Sequence, residues 1–159
     1  MIEALVLATA MNTSPKCYFN HDFRGSISSE QGAAAGSTGY DVRLTNTGRT
    51  CVTRAAAPQF GVTGKIFAVE NNSGARELTV KHGATVHSLL SVTNPGVFTY
   101  KGKKVINART FFLSAPVSGR YSFGKSLTVK SKTSIQIAVN VPRHDGNALI
   151  IGPLSPGRK

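Results

Sequence analysis

The segment Gly119–Ser126 has the residue spacing of a phosphate-binding P-loop. In such a loop, glycines let backbone N–H groups surround the phosphates, while a lysine and a serine reach the phosphate and its metal ion. The loop must also open a helix whose N-terminus faces the phosphate. Here the following residues, Leu127–Lys130, alternate apolar and polar side chains as a strand does. No apolar strand ends in an aspartate that could hold magnesium, so we interpret the segment as a turn and a strand.

No other group of residues matches an enzyme active site. Glycoside hydrolysis needs two carboxylates that flank one bond, and the 7 acidic residues are scattered along the chain. His82 and His87 lie on either side of a turn, so we expect their side chains to diverge. Without an acid nearby, neither histidine is expected to bind zinc or copper. The sequence therefore predicts a protein that is not an enzyme and has no metal or cofactor.

The chain has two cysteines, Cys17 and Cys51. Two are too few for a zinc site, and their spacing is not that of a redox Cys-x-x-Cys pair. A disulfide would pin the N-terminal arm onto the folded domain and contribute roughly 3–4 kcal/mol in an oxidising environment. The alternative is a pair of buried free thiols.

The chain is strongly basic because acids are scarce. Lys and Arg number 19 against 7 Asp and Glu, which gives a formal net charge of +12. Residues 101–159 carry 11 bases and one acid, and no carboxylate lies between Glu77 and Asp145. Local ion pairs cannot neutralise this stretch, so it should attract an anionic partner, although a basic surface that serves only solubility is the alternative. The partner-binding residues predicted on this basis are Lys101, Lys103, Lys104, Arg109, Arg120, Lys125, Lys130 and Lys132.

The elements that must position these side chains are strands. Apolar and polar residues alternate with a period of two in Tyr40–Thr45 and Ser134–Val141, so one face of each segment should be buried. Short strands at near-regular spacing are typical of a β-sandwich or barrel. The one helical candidate, Glu3–Met11, would be marginal alone. No apolar run approaches the roughly 20 residues of a membrane span. Further strands are predicted at Lys65–Glu70, Glu77–Lys81, Thr85–Val92, Val105–Leu113 and Ala148–Ile151.

Part of the chain resembles a known family. The segment Gly32–Cys51, in which a Gly-Ser step leads into a strand ending Leu-Thr-Asn before a cysteine, is similar to the first half of a secreted actinobacterial domain of unknown function. Leu78–Thr85 resembles a later strand, turn and strand of that family. The resemblance implies an all-β, immunoglobulin-like antiparallel β-sandwich, a disulfide between Cys17 and Cys51, and no common enzymatic activity.

We expect one domain with two extended arms. The N-terminal arm spans residues 1–16, the sandwich residues 17–147, and a C-terminal strand and tail residues 148–159. The stretch Ala4–Ala10 is similar to the end of a signal peptide, but Glu3 stands where a positive charge belongs. Either a true start lies upstream, or the protein leaves the cell by another route, such as lysis inside an assembled particle.

These observations favour a binding protein, oligomeric or bound to an assembly, with three possible partners. The first is an acidic protein surface, with the chain as a decoration or minor structural protein of a virus particle. The second is an anionic polymer or protein of the cell envelope, reached by export. The third is nucleic acid, bound by a β-barrel. Basic residues do alternate with aromatic ones between Tyr100 and Phe123, but we expect most of these aromatic side chains in the core.

Overall fold

The computed structural model describes residues 14–34, 36–63, 66–70, 76–116 and 126–157. Nearly all regular structure in these residues is β, which confirms the predicted all-β class. A four-residue helix, α1 (Phe19–Asp22), precedes the first strand, and 3₁₀ turns occur at Pro95–Val97 and Arg143–Asp145. The strands are β1 Phe23–Ala34, β2 Ser37–Asn46, β3 Cys51–Arg54, β4 Gln59–Thr63, β5 Ile66–Phe67, β6 Val69–Glu70, β7 Glu77–Val80, β8 Thr85–Thr93, β9 Lys104–Ser114, β10 Leu127–Val139, β11 Leu149–Ile151 and β12 Ser155–Pro156.

Ten of these strands form one sheet, in the order β5-β4-β9-β10-β1-β2-β8-β11-β6, with β12 also paired to β8. Most neighbours are antiparallel, but β1 meets β10 in parallel at Ile27 and Ser131. Strands β3 and β7 form a separate antiparallel pair. The alternation that predicts β2 and β10 is therefore confirmed, as is the strand predicted at Thr85–Val92. The described part of the strand predicted at Lys65–Glu70 is divided into β5 and β6.

The two ends of the large sheet are consecutive in the chain. Strand β5 ends at Phe67 and β6 begins at Val69, so only Ala68 separates them. Ala68 is buried, and its N–H donates to the carbonyl of Phe60 at 2.9 Å. Since β5 and β6 occupy opposite ends of the strand order, the sheet curls until it nearly closes on itself.

The core lies inside this curled sheet and is made by the inward positions of the alternating strands. Val42 and Leu44 of β2 and Ile135 and Ile137 of β10 are fully buried or nearly so. Phe60 and Phe111 stack at 5.2 Å between ring centroids. The remaining buried hydrophobic residues of the cluster include Phe19, Phe23, Ile27, Val80, Val86, Leu90, Leu113, Val129, Leu149, Ile151 and Leu154.

One close approach in this core requires a glycine. A Cβ at Gly25 of β1 would lie 2.6 Å from the Val129 side chain and 3.1 Å from that of Leu44. We predict that Gly25→Ala lowers the free energy of unfolding by about 1–3 kcal/mol, because β1 must move away from β10 to admit the methyl group. Urea denaturation measures the change. The Gly83→Ala variant, in a turn where nothing lies within 4 Å of the added Cβ but φ is +84°, tests backbone strain alone. A Gly25→Ala protein as stable as the wild type would contradict the prediction.

Cys17 and Cys51 form a disulfide with an S–S distance of 2.05 Å, as the family resemblance implies. The segment before Cys17 lies along β3, where Lys16 pairs in parallel with Val52. The N–H of Cys17 donates to the Val52 carbonyl at 3.0 Å, and the N–H of Val52 donates to the Pro15 carbonyl at 2.8 Å. The disulfide and this short ladder therefore hold the chain on the β3–β7 pair before the first long strand begins.

The C-terminal segment is docked on the sheet through Gly157. Strand β11 pairs with β8 at Leu90–Val92, and β12 pairs with the same strand at Val86 and His87. Between them Leu154 is buried, and its N–H donates to the Ala56 carbonyl at 3.1 Å. The helix expected at Glu3–Met11, most of the N-terminal arm and most of the Gly119–Ser126 segment lie outside the described residues.

Candidate functional site

Three of the predicted basic residues lie in the turn that leads into β9. Lys101 and Lys103 flank Gly102, whose φ of +78° is one that glycine adopts readily, and Lys104 opens the strand. All three lysines are exposed. The Lys103 ammonium donates to the Pro95 carbonyl at 3.1 Å, so its position is fixed by the neighbouring 3₁₀ turn.

A large bulge in β10 presents the next basic residues. Lys130 is paired with Thr110 and Ile135 with Ala108, so four residues of β10 lie opposite Arg109 alone. Within this bulge Ser131 is buried and Lys132 is exposed. The Arg109 guanidinium donates to the Lys132 carbonyl. The bulge and this hydrogen bond therefore bring the Arg109 side chain beside the part of β10 that contains Lys130 and Lys132.

These six exposed cations define what we call the basic face. Among the residues that the structure describes, none of them is within ion-pairing distance of a carboxylate, because the ion pairs lie on other segments: His21–Asp22, Arg43–Asp41, His87–Asp41 and His144–Asp145. Arg120 and Lys125, also predicted here, lie outside the described residues. The basic face consists of Lys101, Lys103, Lys104, Arg109, Lys130 and Lys132.

The basic face has two clusters on a rigid support. Lys104 and Arg109 are five positions apart on β9, which places the two clusters roughly 17 Å apart along the strand. Lys104, Arg109, Lys130 and Lys132 belong to the paired strands β9 and β10, whose inward side chains are part of the core, and Lys101 and Lys103 lie in the turn before β9. A partner that engages both clusters must therefore carry negative charge over a similar length.

Two aromatic residues near the basic face, Tyr100 and Phe111, make packing contacts. Phe111 is fully buried and stacks on Phe60. The Tyr100 ring packs edge-on against Phe98 at 6.3 Å, and its hydroxyl donates to the Val139 carbonyl. Of the aromatic side chains expected in the core, Phe111 is buried there, whereas Tyr100 and Phe112 are half-buried. Of the other aromatic residues in this stretch, Tyr121 and Phe123 lie outside the described residues.

A second polar site lies on the outward side of β2 and β8. Register places Arg43 opposite His87 and Asp41 opposite Leu89. His87 Nδ1 lies 2.9 Å and 3.0 Å from the two carboxylate oxygens of Asp41. The Arg43 guanidinium lies 3.3 Å from the same carboxylate. The expectation that His87 has no acid nearby is therefore wrong, because its partner comes from the adjacent strand.

The two histidines do diverge, as expected. His82 Nδ1 lies 2.7 Å from the Gly48 carbonyl, whereas His87 faces Asp41. In the part of the chain that the structure describes, no group of three or more His, Cys, Asp or Glu side chains could hold a metal ion. The register that joins Asp41 to His87 spans 46 residues, and the only signal for it in the sequence is that both residues occupy outward positions of their strands.

The C-terminal segment turns this site into a cleft of about 710 Å³. Residues 152–157 pass along β8 and form one wall, with the β2 and β8 side chains as the floor. Gly157 lies tightly against this floor: its N–H donates to the Thr85 carbonyl at 2.8 Å, and an added Cβ would lie 3.2 Å from His87 Nε2. The absence of a side chain at Gly157 therefore lets the wall approach His87.

Comparison with family models, with curated proteins and with solved structures finds no match to this chain. No helix among the described residues is both long and apolar enough to cross a membrane. A disulfide is consistent with an oxidising, extracellular environment. Function must therefore be argued from the two sites themselves.

Proposed function

We propose that the protein is a non-enzymatic binding module that docks on the acidic protein surface of a large assembly, as a decoration or minor structural protein of a virus particle would. The observation that supports this proposal is the basic face, with six exposed cations and no carboxylate paired to them among the described residues. Unpaired charge of one sign accelerates the encounter with a surface of opposite charge and fixes its orientation.

The support beneath the charges suits this role. Two long paired strands with a buried inner face, β9 and β10, carry Lys104, Arg109, Lys130 and Lys132, and the Arg109 side chain is hydrogen-bonded to the Lys132 carbonyl. We include in the proposal an immunoglobulin-like sandwich arrangement of the curled sheet, with an N-terminal arm that contacts a neighbouring subunit. On this view the protein works as an oligomer or bound to an assembly.

The second candidate is an exported domain of the cell envelope that binds an anionic polymer or an acidic surface protein. The Cys17–Cys51 disulfide favours this candidate, because disulfides persist outside the cytoplasm. Nucleic acid is a third candidate, and it is weakened by the packing of Phe111 and Tyr100, which leaves these rings poorly placed to stack on bases.

A charge-removal variant tests the proposal. We predict that replacing Lys101, Lys103, Lys104, Lys130 and Lys132 together with Ser weakens binding to poly-L-glutamate by about 10- to 100-fold at low salt and flattens its salt dependence. Fluorescence anisotropy at several salt concentrations measures both effects. Parallel titrations with poly(glycerol phosphate) and single-stranded DNA distinguish the three partner classes.

The matched control removes the same charge elsewhere on the surface. Five exposed cations of other segments, replaced with Ser, leave the basic face intact: Arg24, Arg49, Arg54, Arg76 and Lys81. The proposal requires this control to bind poly-L-glutamate more tightly than the five-lysine variant. Equal losses in the two variants would show that net charge alone drives binding, and the tightest binding to DNA would overturn the proposal in favour of nucleic acid.

A further inference from the structure

The cleft beside β8 contains no residue of the basic face. Polar side chains at and beside the cleft lie in rows across the sheet. One row consists of Ser26, Arg43, His87 and Ser155, which are successive partners on β1, β2, β8 and β12. Asp41 lies two residues before Arg43 on β2 and contacts both Arg43 and His87. Three strands, β2, β8 and β12, thus contribute polar side chains to the cleft.

The hydrogen-bonding roles of the His87 ring nitrogens follow from its partner. A carboxylate can only accept hydrogen bonds, so the Nδ1 atom that faces both Asp41 oxygens carries the proton and donates it. In the neutral ring, Nε2 is then a hydrogen-bond acceptor on the Gly157 side of the cleft. The Arg43 guanidinium has five N–H donors, and its contact with Asp41 uses one nitrogen.

These groups offer donors and acceptors, and the single carboxylate among them is paired. The negative charge of Asp41 is offset by the positive charge of Arg43, and His87 is hydrogen-bonded to the same carboxylate. An anion would approach Asp41 unfavourably, and a cation would approach Arg43 unfavourably. The cleft is therefore complementary to a neutral ligand that both donates and accepts hydrogen bonds.

Apolar surface adjoins the polar groups. Leu89, which is 57% exposed, lies on the floor, and Pro153 and Pro156 lie in the wall. The cleft volume of about 710 Å³ is within the usual size of small-ligand sites. We propose that this cleft binds a neutral saccharide, with ring hydroxyls on Asp41, Arg43 and His87 and the C–H face of a sugar ring against Leu89 and the prolines.

A substitution in the wall of the cleft changes the cleft but leaves the core residues unchanged. A Cβ at Gly157 would lie 2.8 Å from the Thr85 carbonyl oxygen, so Gly157→Val must displace β12 from β8. Strand β12 has two exposed residues, whereas the buried strand β11 remains paired with β8. The folded domain is therefore expected to persist with an open cleft.

The experiment screens the whole chain on an array of neutral oligosaccharides of glucose, mannose, galactose and N-acetylglucosamine. The best binder is then titrated calorimetrically against the wild type, Arg43→Gln and Gly157→Val. We expect each substitution to weaken binding about tenfold or more. Arg43→Gln removes roughly one good hydrogen bond to the saccharide, and Gly157→Val removes the contacts with the wall. The five-lysine variant of the basic face should bind the saccharide as the wild type does, so this proposal and the proposed function fail separately.

Three results would overturn the proposal. The first is the absence of binding to any neutral saccharide on the array. The second is wild-type affinity in both Arg43→Gln and Gly157→Val, which would place the saccharide elsewhere. The third is a shift of the His87 ring signals in the NMR spectrum with inorganic phosphate or zinc ions when neutral saccharides leave them unchanged.

Discussion

Removing the Cys17–Cys51 disulfide lowers the free energy of unfolding by about 4 kcal/mol. The two cysteines are 34 positions apart, and closing a loop of this length removes conformational entropy from the unfolded chain equivalent to roughly 4 kcal/mol. Both residues are buried, so their loss also affects packing. Without the bond, the segment before α1 is held on β3 mainly by the two hydrogen bonds around Cys17 and Val52.

The measurement is urea denaturation of the Cys17→Ala/Cys51→Ala double variant beside the wild type. Wild-type protein in reducing agent should unfold at a urea concentration close to that of the variant, and the same reducing agent should leave the variant unchanged. The single variant Cys17→Ala separates the loss of the bond from the loss of the Cys51 side chain. A difference below about 1 kcal/mol between the oxidised wild type and the double variant would contradict the prediction.

Replacing Asn46 with Ala lowers the free energy of unfolding by about 3 kcal/mol. Asn46 is completely buried at the end of β2, and its side-chain amide donates to the carbonyls of Arg49 and Val80, each at 2.9 Å. Its side-chain oxygen accepts from the N–H of Gly48 at 2.9 Å. Alanine would leave these buried or half-buried backbone groups without their partner, at about 1–3 kcal/mol for each group that water cannot reach.

An aspartate at this position gives a sharper test. In Asn46→Asp the carboxylate would face the Arg49 and Val80 carbonyl oxygens, which repel it, so burial and repulsion raise the aspartate pKa above its ordinary value in the folded state. The variant should therefore be most stable at acid pH and lose stability as the pH rises through the range where an aspartate in the unfolded chain ionises. Asn107→Ala, at an exposed position of β9, is the matched control and should change stability by less than about 0.5 kcal/mol. An Asn46→Ala protein as stable as this control would contradict the prediction.

Alternation of side chains was sufficient to predict β2 and β10, whereas β1, β3 and β4, which also contribute to the core, were not predicted. In β2 and β10 the apolar residues occupy every second position, which a half-buried strand requires, and the structure buries Val42, Leu44, Ile135 and Ile137 accordingly. The disulfide followed from the family resemblance. Periodicity cannot reveal a bulge, however, so the four residues of β10 opposite Arg109 emerged only with the strand pairing.

Register is the information that the sequence lacks for the candidate sites. Asp41 and His87 are each ordinary polar residues at outward positions, and only the antiparallel alignment of β2 with β8 brings them within hydrogen-bonding distance. The wall of the cleft depends in addition on a two-residue strand, β12, which is too short to show any periodicity. The cations of the basic face were predicted directly, since charge and exposure require no knowledge of which strands pair.

The junction at Ala68 also affects how readily other chains can pair with the outermost strands of the large sheet. Open sheets present long rows of unsatisfied amides at their margins, where other chains can join and grow into aggregates or amyloid-like fibrils. Here the outermost strands, β5 and β6, have two residues each and are consecutive in the chain. A foreign strand would therefore find only two residues of strand backbone to pair with at β5 or at β6.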